Sequence, residues 1–294
     1  MKTVRCGASP DYTASVAYKF RDADGILTWN GFLPKNSEAI NAYCEAIENG
    51  WPVICIETPL LGRQLFEDKI KDHKRQYYRL GLSGICSLSH ATVISHDNRL
   101  EEVLVNTGEE VKPWRGWEGD CIVYAMQIPS DMSLVGLDVW TAAKHDIIQM
   151  KFHTKLPIYI TTSPYLHDDH IGNEVADLGR FAKALDIEVV PGGTKKLLER
   201  AKCFVMHSSG TSVDCMLAGV PCISLHHGSP CYNYINHSFD FLNDRNLNSK
   251  LFRMDHFDRD AALNFVAGYQ FNIEELLDGW PIQALLDLHN NRFT

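Results

Sequence analysis

No stretch of about 18 consecutive apolar residues occurs anywhere in the 294 residues, so no segment is long enough to span a bilayer as a helix. The opening, Met1-Lys-Thr-Val-Arg-Cys6, lacks the apolar core of a signal peptide, and a cytoplasmic location with no membrane partner is expected. Cysteine never occurs as a C-x-x-C pair. The nine residues, an odd number, are scattered singly, mostly in apolar runs (Cys55, Cys121, Cys203, Cys222). Neither a zinc site nor a disulfide framework is suggested, and buried free thiols in a reducing compartment are expected. Positive charge is also short, with Lys+Arg 28 against Asp+Glu 37 and a net charge of -9. That argues against a surface coated for nucleic acid, although a local basic patch remains open.

What is present is the composition of a globular protein, 45% hydrophobic and 22% charged. The length suits two domains of roughly 100–150 residues better than one core. Residues 1–9 and 15–20 read as early strands, and Ser37 opens a helix that runs to about Glu48. Trp51 to Glu57 is a continuous apolar run ending in an acid, the mark of a buried parallel strand. Glu57 stands at the carboxyl end of that strand, where functional carboxylates collect, or it pairs with Arg63. The segment from Gly62 to Arg79 is expected to be a basic helix. Lys69, Lys71, Lys74, Arg75 and Arg79, interleaved with Tyr77 and Tyr78, are either a phosphate- and base-binding surface or a solvated helix face. Ala91 to Ser95 reads as a strand and His96-Asp97-Asn98-Arg99 as a loop.

Pro and Gly concentrate at Lys112–Gly119, the best domain boundary. The expected organisation is residues 1–117, residues 118–270, and a C-terminal helical segment, 271–294, packing back on the first domain. Beyond the boundary the pattern alternates: strand (Cys121–Met126), helix (Trp140–Met150), strand (Pro157–Thr162), helix (Asn173–Leu185), strand (Ile187–Val190), short helix (Lys195–Ala201). This implies an α/β fold with two Rossmann-like domains facing a cleft. The loop His167-Asp-Asp-His170 lacks the i, i+4 helical spacing of a protease zinc site and reads as polar surface. Asp260 to Asp278 reads as one or two amphipathic helices.

The chemistry concentrates in the stretch from Cys203 to Leu225. A short strand runs into His207-Ser-Ser-Gly-Thr211, then a helix, Gly219, Pro221 and a second strand. Ser208, Ser209, Gly210 and Thr211 stand at a helix N-terminus, whose unpaired amides and dipole suit a phosphate. Asp214, about one turn on, is placed to accept from a ribose diol. The plainer alternative is an ordinary Ser-capped βαβ unit.

Several separated stretches together resemble a known family. They are Gly50–Glu57 with Arg63, Tyr78–Gly84, Asp97–Arg99, and Trp114 with Gly119 leading into Gln127-Ile-Pro-Ser-Asp131-Met-Ser133-Leu134. Ser208–Asp214 with Leu217–Pro221 follows, and then Asp258 to Trp280. In this order, over about residues 40–285, the chain resembles bacteriophage glycosyltransferases of the two-Rossmann (GT-B) type that act on hypermodified DNA bases. The resemblance implies a nucleotide-sugar donor such as UDP-glucose or another UDP-sugar, with no obligatory metal. The diphosphate would lie on Ser208–Thr211, the ribose on Asp214, and the sugar beside Gln127 and Asp131. The acceptor would be a hydroxymethylated pyrimidine in DNA, flipped from the duplex, with Lys69, Lys71, Lys74, Arg75 and Arg79 on its phosphates. Glu57, then Asp97, with His90 and His96 behind, are the candidate general bases. One departure stands out: Thr161-Thr-Ser-Pro164 replaces the family's Arg-x-His-Pro. Two rivals remain, a GT-B transferase acting on a saccharide or glycolipid and a non-catalytic nucleotide-sugar-binding module.

Overall fold

A computed structural model of the chain describes residues 26–29, 46, 48–84, 97–115, 118–128, 132–134, 136–162, 172–235, 237–242 and 258–293. The strands expected at 1–20 and 91–95, most of the helix from Ser37, the loop 167–170, His90, His96 and Asp131 lie outside these residues. In chain order the elements are β1 (Ile26–Trp29), β2 (Val53–Glu57), α1 (Arg63–Glu67), β3 (Tyr77–Leu82) and α2 (Arg99–Thr107). There follow β4 (Cys121–Ala125), α3 (Val139–His153), β5 (Ile158–Thr162), α4 (Gly172–Ala184), β6 (Glu188–Pro191) and α5 (Thr194–Leu198). The last are β7 (Ala201–Met206), α6 (Thr211–Ala218), β8 (Cys222–Ser224), α7 (Arg259–Ala267), β9 (Gln270–Asn272), α8 (Ile273–Asp278) and α9 (Trp280–Phe293). The chain forms two compact units, Met1–Glu110 with Leu263–Thr294, and Val111–Ala262.

In the first unit the sheet order is β1-β2-β3-β9. β1 runs parallel to β2, while β3 is antiparallel to both β2 and β9. The expected helix from Gly62 to Arg79 is therefore mostly wrong. Only five residues are helical, Lys69 turns out of the helix at φ 51, and Tyr77 to Leu82 is a strand buried along its whole length. The polar run 67–75 offers a helix no apolar face, whereas Tyr77, Tyr78, Leu80 and Leu82 suit a sheet buried on both sides. Of the one or two helices expected across 260–278, two are present, α7 and α8, but β9 lies between them, because Phe271 and Gln270 pair with Tyr78 and Arg79. The core joins Ile54, Ile56, Leu80 and Leu82 to Phe271, Leu276 and Leu285.

Arg99 ties this unit together. It is 2% exposed, and its guanidinium donates to Glu275 at 2.6 and 2.8 Å, Glu102 at 2.9 Å and the Gln270 carbonyl at 2.5 Å. Gln270 in turn clamps the loop after β2: its Oε1 accepts from the amides of Leu60 and Leu61 at 2.6 and 2.9 Å.

The second unit is the parallel alternation the sequence implied: five strands in the order β6-β5-β4-β7-β8, every pair parallel. Its strands are near-continuous apolar runs because helices cover both faces of a parallel sheet. Asp138 caps α3 by accepting from the Thr141 amide at 3.2 Å. At Gly219 the chain leaves α6 at φ 70, and an added Cβ would strike the Pro113 carbonyl at 2.2 Å. Only glycine fits there.

Candidate functional site

The strand order of the second unit reverses at one place. From β4 the chain builds outward through β5 and β6, then returns to the other side of β4 with β7 and β8. In open parallel sheets the carboxyl ends of the strands flanking such a reversal leave a crevice, because the connections leave on opposite faces. Gln127 follows β4, and the turn His207–Thr211 follows β7.

The register sharpens this placement. Ala125 is opposite Met206, so two residues further on Gln127 and Ser208 extend from neighbouring strands on the same face. Gln127 is only 7% exposed, and among the described residues no donor reaches its Oε1. A buried amide oxygen left unmatched is costly, which marks a place for a ligand donor. Thr162 Oγ1, at the end of the adjacent β5, is in the same condition. The neighbouring Thr161 hydroxyl meets that of Thr194 at 3.3 Å, which is what occupies the position of the missing basic residue.

In the turn, the amides of Thr211, Ser212 and Val213 are already taken by Ser209 Oγ (3.2 Å), the Ser209 carbonyl (3.1 Å) and the Gly210 carbonyl (2.9 Å). The Ser209 hydroxyl also donates to Thr211 Oγ1 at 2.9 Å. Ser209 thus closes a local Ser turn ahead of α6, whose N-cap, Gly210, has no side-chain cap. One step earlier, the amides of Ser208, Ser209 and Gly210 meet no acceptor among the described residues. They sit at the positive end of α6 and are the donors an anion would use. Gly210 itself has an ordinary right-handed conformation, φ -56, so no left-handed backbone is asked of it. Asp214 lies in the first turn of α6, half-buried.

Ser133, in the 3₁₀ turn Met132–Leu134, receives the Ser208 hydroxyl and so joins the loop after β4 to the turn after β7. A third loop closes on it: an added Cβ on Gly228 would stand 2.1 Å from the Ser133 carbonyl oxygen. Nothing in the sequence flags Gly228, a single glycine between His227 and Ser229. Its close approach is visible only once β8 brings the loop back.

The remaining candidate residues belong to the first unit. Glu57 pairs with Arg79, not Arg63: the two side chains meet at 2.6 Å, and Arg79 Nε donates to the Thr58 carbonyl at 2.6 Å. Arg63 pairs with Glu67. Arg79, 7% exposed within β3, is therefore separated from the other basic residues and committed to a carboxylate. Lys69, Lys71, Lys74 and Arg75 are exposed between α1 and β3. Acids are interleaved with them: Asp72 accepts from the Lys74 amide at 3.1 Å, and Glu274 lies 4.0 Å from the Lys74 ammonium. Arg75 donates to the Asn106 carbonyl at 2.9 Å. Asp97 is exposed just before α2. Among the described residues no group of three or more His, Cys, Asp or Glu is arranged to hold a metal, and no helix is long and apolar enough to cross a membrane.

No sequence profile of a known family matches the chain, and no curated protein matches it in sequence. Among solved structures, three glycosyltransferases align along nearly the whole of this chain. The beta Kdo 2,7 transferase of KpsC from Thermosulfurimonas dismutans aligns over 98% of this chain and 99% of that one, at 12% identity and a TM-score of 0.53. The beta Kdo 2,4 transferase of the same KpsC aligns over 97% and 98%, at 12% identity and a TM-score of 0.48. A glycosyltransferase from Rickettsia africae ESF-5 aligns over 99% and 76%, at 11% and 0.40. The first of these similarities, at 12% identity, is a likeness of fold.

Proposed function

We propose that the chain is a GT-B type glycosyltransferase that moves a sugar from a nucleotide-sugar to a hydroxyl of a saccharide acceptor. The observation that carries this reading is the pairing, at the strand-order reversal, of the buried and unmatched Gln127 oxygen with the open amides of Ser208–Gly210. The amides and the α6 dipole would hold the leaving phosphate, where developing negative charge needs fixed donors. Asp214 would hold the ribose hydroxyls, and Gln127 with Asp131 would face the transferred sugar. A saccharide acceptor is favoured over DNA by the acids interleaved with Lys69, Lys71, Lys74 and Arg75, and by the commitment of Arg79 to Glu57. The fold likeness is to a transferase named for the sugar Kdo, which points the same way. Of the two candidate general bases, Glu57 has its carboxylate engaged by Arg79, and Asp97 is exposed.

The test incubates the protein with a panel of nucleotide-sugars and two acceptor sets, oligosaccharides and hydroxymethylated DNA, and reads products by mass spectrometry. A glycosylated saccharide supports the proposal. A mass increase on DNA alone would restore the base-modifying reading, and neither transfer nor donor hydrolysis would leave a binding module. Asp214→Asn should weaken donor binding by roughly 1–3 kcal/mol, the value of a charge-assisted hydrogen bond. Wild-type affinity in that variant removes Asp214 from the site.

A further inference from the structure

A buried polar cluster that takes no part in the chemistry above lies directly under the same turn. His207, 4% exposed, follows β7, and its Nε2 is 2.8 Å from Asp146 Oδ2 on α3. The Tyr124 hydroxyl, from β4, lies 3.3 Å from that same oxygen and 3.4 Å from His207 Nδ1. All three are buried in the core of the second unit. Burial, and then the adjacent Asp146, push the Tyr124 phenol well above its ordinary value, so it stays protonated and remains a donor. A buried polar cluster of this kind adds little net stability over apolar side chains of the same volume, so what it contributes is geometry.

The backbone of His207 is held from the other side. The Ser224 hydroxyl donates to its carbonyl at 2.5 Å, and the Ser224 carbonyl is 2.9 Å from His237 Nδ1. A trans peptide is planar, so the Ser208 N–H points opposite to the His207 carbonyl, and fixing one fixes the other. With the ring held from β4 and α3 and the carbonyl from β8, the peptide between 207 and 208 has no freedom to turn. We infer that His207 is a positioning residue for phosphate binding. Asp146 and Tyr124 act through its ring and Ser224 through its carbonyl, so that the Ser208 amide is aimed before any ligand arrives. This rests on the donor-site reading above. Preorganised donors are worth more than ones that must reorient, because no reorganisation is spent on binding.

The test uses the full chain and calorimetric titration with UDP, GDP, ADP and CMP, each against its own nucleoside, alongside thermal melts. Ser224→Ala and Tyr124→Phe remove one hydroxyl each, and Asp146→Asn removes the charge. Cys203→Ala, an equally buried change on β7 outside the cluster, is the structural control. For whichever nucleotide binds the wild type tightest, the cluster variants should bind it roughly three- to tenfold more weakly, the value of one hydrogen bond. Affinity for the nucleoside should be unchanged, and Cys203→Ala should lower the melting temperature without altering the nucleotide-to-nucleoside ratio. The inference is overturned if Ser224→Ala and Tyr124→Phe keep the wild-type ratio, or if Cys203→Ala shifts it as much. A wild-type protein that binds none of the four nucleotides overturns the donor-site reading itself.

Discussion

Gly228→Ala is the smallest change that should reach the candidate site without touching any group assigned to it. The added Cβ would stand 2.1 Å from the carbonyl oxygen of Ser133 and 3.0 Å from its carbonyl carbon. Both are backbone atoms, so no rotamer change relieves the clash. Moving from 2.1 Å to the 3.0 Å that real contacts require means parting the two loops by about 0.9 Å. Ser133 carries the contact with the Ser208 hydroxyl, so that displacement passes directly to the turn. Overpacking of this kind costs about 1–3 kcal/mol, and a misplacement near 1 Å can cost about a hundredfold in rate. The expected result is a fall of roughly ten- to a hundredfold in kcat/KM for donor turnover, with melting lowered by several degrees. Gly179→Ala in α4 is the matched control: a Cβ there meets nothing within 4 Å, so the change should add up to about 1 kcal/mol of helix stability and leave turnover alone. A Gly228→Ala protein with full turnover and an unchanged melt would refute the interlocked-loop argument.

Other perturbations test the fold around the site. Glu275→Ala should destabilise the first unit by about 3 kcal/mol, because it strips Arg99 of its closest carboxylate inside a buried setting and also breaks the capping box with Asn272; urea denaturation followed by tryptophan fluorescence reads it, and a loss under 1 kcal/mol would contradict the role given to Arg99. Burial pushes the Cys55 thiol to about 12 and Cys121 to about 11, with Cys203 and Cys215 also driven well above the ordinary thiol value. These four should resist iodoacetamide at pH 8 until the chain is denatured, since only the thiolate reacts; peptide mapping that finds them labelled in the native protein would show the cores to be open.

The second unit was largely legible because its strands are mainly apolar runs that alternate with helices, so that period and boundary agree. Cys121–Ala125, Ile158–Thr162 and Ala201–Met206 announce themselves in this way. The first unit was not. Tyr77–Leu82 follows a charged run with no turn signal between them, and its arginine reads as surface until the strand pairing sets it opposite Glu57. β9 is three residues long between two helices, too short for any periodicity to register. At the site, Ser208–Thr211 and Gln127 could be picked out from their position at strand ends. The His207–Asp146–Tyr124 cluster could not, because its members are 83, 22 and 61 positions apart in pairs and only the packing of α3 on β4 and β7 unites them.

Hydrogen exchange, with and without the nucleotide-sugar that the protein turns over, tests the central claim most directly. The open amides of Ser208, Ser209 and Gly210 should exchange quickly in the free protein and become protected when the donor is bound. Protection confined to other segments, with exchange across 208–210 unchanged at saturating donor, would contradict the account.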